Sequence, residues 1–130
     1  MHRFFWLMLC LLMASGAHEA AAQNNNFAVY FKNECWRRIQ TAIHVRDMSG
    51  NWITKGWYIL EPGEQAFVAT TTNRIFYTYG ESIAPINERI NWAGTDRHYY
   101  IRGSSNTYGF RTRRMDMSNW GTWTERFTCN

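Results

Sequence analysis

The chain has 130 residues, with 14 Lys and Arg against 10 Asp and Glu for a formal charge of +4. That length buries one core and leaves no room for two. Its longest apolar run falls well short of the ~20 residues a membrane-crossing helix needs, which excludes a stable membrane span in the mature chain.

His2 and Arg3 precede an apolar run from Phe4 to Ala14 and the small-residue stretch Ala20-Ala21-Ala22. A charged start, a short apolar segment and an A-x-A site together read as a secretory signal peptide over residues 1–22. Residues 23–130 then form a single all-β domain in the periplasm or outside the cell. The competing reading is an uncleaved signal that anchors the protein in the inner membrane. Cys10 follows Leu9, where a lipidation box needs a small residue, and it leaves with the signal. Arg3 and Glu19 cancel, so the net charge belongs to the mature domain, and apart from Lys32 and Lys55 arginine supplies it. Arginine favours planar, bidentate or aromatic-stacked partners.

Along the mature chain apolar residues recur with period two, and turn residues interrupt them every eight to twelve positions. This is the pattern of an antiparallel β-sandwich of about eight short strands. A first strand fits residues 27–34. In the second, 38–47, Ile39, Thr41, Ile43 and Val45 form one face, and Arg38, Gln40, His44 and Arg46 the other. The third, 51–60, carries bulk on both faces: Trp52, Thr54, Tyr58 and Leu60 on one, Ile53, Lys55, Trp57 and Ile59 on the other. Pro62-Gly63 ends it in a turn of type II, with glycine where positive φ is required. Further strands fit 65–72, 74–80, 97–102, 107–116 and 122–129. Between Gly80 and Thr95 the alternation fails, and Ser82 to Ile90 reads as a short helical loop, either functional or an ordinary crossover.

After export Cys35 and Cys129 are the only cysteines. Counted by twos, Cys35 is in register with Phe27, Val29 and Phe31, and Cys129 with Trp123 and Phe127, so both point inward. Two buried thiols are one reading; a disulfide is the other, favoured by an oxidising compartment.

Asn33, Ala42-Ile43, Trp52, Gly56-Trp57, Pro62-Gly63-Glu64, Arg74 followed by Tyr77 and Tyr79, and Trp92-Ala93-Gly94 lie at spacings that carry a family resemblance. Over about residues 27–101 the chain resembles the small exported bacterial family known as domain of unknown function 1036. The resemblance implies an exported domain and no reaction. Where that family has cysteines this chain has Lys32, Gln65 and Tyr99-Tyr100, so its cysteine arrangement does not carry over.

Candidate binding residues fall into two groups. Asn-Trp recurs at 51–52, 91–92 and 119–120, placing Trp52, Trp92 and Trp120 at strand ends. Gathered on one rim they form a stacking platform; turned inward they are core, with Gly56 leaving room for a ring to lie flat. Arg102, Arg111 and Arg113 either form an anion-binding stripe or are solvated charges with Glu125 as counter-ion. Arginine interleaved with Tyr108 and Phe110 suggests nucleic acid in a cytoplasmic protein, but export argues against it. An anionic envelope polymer, a glycan or an acidic protein surface is the expected partner.

For catalysis the sequence offers little. Only His44 and His98 remain after export, no G-x-S-x-G, H-E-x-x-H or clustered metal-ligand spacing occurs, and no cofactor is implied. Asp96 and His98 could hydrogen-bond on one strand face, although a solvated pair is the plainer reading. The expectation is therefore a non-catalytic binding or interaction module, with a purely structural envelope protein as the alternative and a small enzyme third.

Overall fold

The structure, a computed structural model, describes residues 25–130. The expected signal peptide lies outside the described residues. The domain is a sandwich of two β-sheets built from nine strands: β1 (Phe27–Glu34), β2 (Ile39–Arg46), β3 (Trp52–Leu60), β4 (Gln65–Thr71), β5 (Ile75–Ser82), β6 (Asn91–Trp92), β7 (Arg97–Tyr100), β8 (Thr107–Arg114) and β9 (Gly121–Thr128). The strand beyond the expected eight is β6, a two-residue pairing with Gly80 and Glu81 of β5. The loop after β5 holds one short 3-10 turn, Ile86–Glu88.

The smaller sheet has the order β4-β1-β9 and the larger β3-β2-β5-β8-β7. All pairings are antiparallel except one, because β1 and β9 run parallel from Phe27 beside Gly121 to Glu34 beside Thr128. That departs from a wholly antiparallel sandwich. It also brings the two strands' C-terminal ends together, so the next residue of each, Cys35 and Cys129, form a disulfide with Cα atoms 5.0 Å apart.

The alternating residues of β1 and β9 point inward as their parity requires. Phe27, Val29 and Phe31, with Phe127, pack against Ile39, Ile43, Val45 and Phe76 of the larger sheet to make the main core. Phe31 and Phe127 meet edge-on at 5.0 Å.

The larger sheet curls. Ile101, just past β7 at one end of the sheet order, lies against Gly56 of β3 at the other, so the curl encloses a second core of Ala42, Tyr79, Ile101 and Phe110. Ile101 is held by a turn in which Ser104 Oγ accepts from Ile101 N–H at 3.0 Å and donates to its carbonyl at 2.6 Å. Gly56 has no spare space for a flat ring: a Cβ there would stand 2.9 Å from the Ala42 methyl and 3.1 Å from Ile101 Cγ2.

A bulge in β3 corrects the expected faces of that strand. Gly56 pairs with Ala42 and Tyr58 with Thr41, leaving Trp57 as the extra residue. Trp57 therefore joins Trp52 and Thr54 on the curl side, while Tyr58 turns into the main core with Leu60.

The signature residues Asn33 and Pro62-Gly63-Glu64 meet in one hydrogen-bonded hub. Asn33, fully buried, donates from Nδ2 to the carbonyls of Arg37 and Leu60 at 2.7 and 3.0 Å, and its Oδ1 accepts from Cys35 N–H at 2.8 Å. Its backbone N–H donates to the Glu64 carbonyl, and its carbonyl accepts from Gly63 N–H. Gly63 takes the positive φ expected of the turn, 82°.

Candidate functional site

A cleft of about 360 Å³ opens where the curled sheet nearly closes on itself, lined by His44, Trp52, Tyr77, Arg97 and Tyr99. Four strands supply it. His44 projects from β2 into the curl, two residues beyond Ala42; Trp52 opens β3 beside Arg46; Tyr77 comes from β5; Arg97 and Tyr99 share one face of β7.

His44 is the middle layer of a three-ring stack. The Tyr99 ring lies 3.6 Å from it at 11°, and the Trp52 ring 5.4 Å away at 9°. Tyr77 closes the side, tilted and about equally distant from the three rings. Nδ1 of His44 shares a hydrogen bond of 2.8 Å with Thr54 Oγ1, which fixes the ring's rotation. Burial, with a smaller contribution from the Arg97 charge, holds the imidazole below its ordinary pKa, so it is neutral at pH 7. Trp52 still shows 43% of its surface to solvent.

Arg97 is the cleft's only charged lining residue. Its guanidinium lies 5.8 Å from the centre of the Tyr77 ring and makes no salt bridge or hydrogen bond among the described residues. Its neighbour Asp96 is directed elsewhere, accepting from Thr112 N–H at 3.2 Å and Thr112 Oγ1 at 2.7 Å, bonds that lower its pKa. Asp96 therefore does not pair with His98. Arg46, on the same face of β2 as His44 and paired with Trp52, flanks the cleft, and among the described residues its side chain donates only to the Gly50 carbonyl.

The three tryptophans at strand ends do not form one rim. Trp120, also 43% exposed, packs at 4.8 Å on Phe27 and lines a separate cleft with Asn26, Ala28, Gly121 and Thr122. Trp92 is 7% exposed, beside Gly80 at the far end of β5, and its indole N–H donates to the Thr128 carbonyl at 2.8 Å. It braces the last strand near the disulfide.

Nor do the three arginines form one stripe. Glu125 of β9 faces inward and is 2% exposed, and a carboxylate so placed needs a cation. Arg113 supplies it, with Nε 2.7 Å from Oε1. Arg111 lies beside this pair, half-buried, its Nε without a partner, and burial followed by the Arg113 charge lowers its pKa. Arg102 is across the sheet, in a cleft formed by Thr54 to Tyr58 of β3. Arg102 follows Tyr100, which pairs with Thr107 at the start of β8, whereas Arg111 and Arg113 lie toward the end of that strand beside β5.

His44, Tyr77, Arg97 and Tyr99 were not singled out by sequence as binding residues, because each reads as one face of an ordinary strand. A signal was available: residues 74–80 and 97–102 carry bulky groups on both faces, which a sheet covered on only one side does not need. Among the described residues no three His, Cys, Asp or Glu side chains converge as a metal site would require, and no helix is long and apolar enough to cross a membrane. Comparison with protein-family models and with curated proteins finds no match.

Proposed function

We propose that this is an exported, non-catalytic binding module of the bacterial periplasm or cell envelope, and that it binds at the His44–Trp52–Tyr99 cleft. The observation that carries the reading is Arg97 beside a rigid stack of rings: an exposed cation with no hydrogen bond or salt bridge among the described residues, next to the exposed face of Trp52. A cation with its N–H groups free beside an exposed aromatic face is what a recognition surface needs. The disulfide supports export, since such bonds persist in oxidising compartments. The resemblance of the signature residues supports it too. A neutral, immobilised His44 with no carboxylate beside it favours binding over acid–base chemistry.

The test is to titrate isotope-labelled protein with soluble polymers extracted from a bacterial envelope and to follow the Trp52 indole resonance. Saturable shifts centred on residues 44, 52, 77, 97 and 99, with the polymer unchanged in mass afterwards, support a binding module. Conversion of the polymer overturns the non-catalytic reading.

A purely structural role is favoured by Trp92 and Asn33, two signature residues that are wholly engaged in holding strands together. It predicts that no polymer shifts the cleft resonances.

A further inference from the structure

We infer that the cleft's ligand is an acidic saccharide chain, a glycan whose sugars carry carboxylates. This rests on the binding reading above and adds the chemistry of the ligand. Trp52 offers a flat apolar surface backed by His44, which is how a pyranose ring is held by its C–H face. The hydroxyls of Tyr77 and Tyr99 make no hydrogen bond among the described residues and are available to sugar hydroxyls.

The charge around the cleft decides between a neutral and an acidic sugar. Among the described residues no carboxylate lines it and Arg97 makes no salt bridge, and Arg46, paired with Trp52, adds a second cation near its edge. A guanidinium with free N–H groups recognises a carboxylate through paired hydrogen bonds. Arg46 pairs across the sheet with Trp52, and Arg97 comes from β7, which the curl brings face to face with β2 at Tyr99 and His44, so both cations belong to the surroundings of one cleft.

At about 360 Å³ the cleft is at the small end of ligand sites and suits a segment of an extended chain.

The experiment uses calorimetry and the Trp52 indole resonance at low salt with three probes: trigalacturonate, the same trisaccharide with its carboxylates methyl-esterified, and a triglutamate peptide. Trigalacturonate is expected to bind, and Arg97→Gln, an exposed change that leaves packing intact, is expected to weaken it about tenfold or more. Trp52→Ala should weaken it similarly, while Trp52→Phe retains most of the affinity. Equal binding of the methyl ester overturns the acidic assignment but leaves the cleft a glycan site. Equal or tighter binding of triglutamate overturns the saccharide assignment but leaves a binding module. Failure of all three probes, together with failure of the envelope polymers to shift the cleft, overturns both readings.

Discussion

Replacing Asn33 by alanine is expected to cost a large part of the domain's stability. The side chain makes three hydrogen bonds, to Arg37 O, Leu60 O and Cys35 N–H, and the first of these is only partly buried. Alanine strands the other two groups in the interior. At about 1–3 kcal/mol for each buried group left unpaired, and less for the Arg37 carbonyl, which water can reach, the loss is about 3–5 kcal/mol. The backbone bonds to Gly63 and Glu64 survive the change, so they do not enter the sum. Small domains hold about 5–15 kcal/mol in all. Equilibrium urea unfolding of the oxidised protein measures the effect: with a slope of about 1.5 kcal/mol per molar, the midpoint should fall by about 2–3 M at unchanged slope. Asn33→Asp separates bonding from volume, since it keeps the acceptor for Cys35 N–H but turns an oxygen toward two carbonyls; at pH 7 it should cost at least as much as alanine. A loss below about 1 kcal/mol for Asn33→Ala would refute the hub, because it would mean that water or a local shift satisfies these groups without the side chain.

Replacing both Cys35 and Cys129 by serine opens a loop of 94 residues; the chain-entropy model gives a loss of about 4–5 kcal/mol as an upper figure, measured by the same unfolding assay. Gly56→Ala should destabilise by about 1–3 kcal/mol through its contacts with Ala42 and Ile101, and Ala42→Gly in the same chain should recover part of that in thermal melts. Because the folded-state pKa of His44 lies below its ordinary 6.5, the unfolded chain takes up the proton more readily. The stability that neutral His44 contributes is thus complete above pH 6.5 and is lost as pH falls through the folded pKa; melts from pH 8 to 5 should show the decline, and His44→Gln should flatten it.

Period-two alternation made the strands legible, and with them the sandwich. It placed Cys35 and Cys129 inward in agreement with the observed bond, because parity within a strand is a local property. What alternation cannot express is how strands are arranged against one another. The parallel β1–β9 pair, the bulge at Trp57 and the return of β7 over β2 are all relations between distant segments. For that reason His44 read as part of a polar strand face, when the curl converts that face into a second interior. The Trp52 platform was visible as an exposed-end tryptophan; its partners Tyr99 and Arg97 were not, since only the curl brings them to it. Trp92 and Trp120 share the same Asn-Trp signal with Trp52 and have different surroundings, which shows that a two-residue motif marks a strand start without saying which way the ring turns.

The side-by-side, same-direction course of β1 and β9 has a mechanical consequence. A pulling force applied through chain attached before Phe27 and after Cys129 travels along β1 to Cys35 and crosses directly to Cys129. Residues 36–128, which include the cleft, lie off that line of tension. The domain thus behaves as a short, stiff tether whose recognition surface keeps its shape under load. Cleaving the sulfur bridge puts that segment in series, and the sequence separation of 94 between the two cysteines adds roughly 310 Å of extensible length at ~3.3 Å per residue.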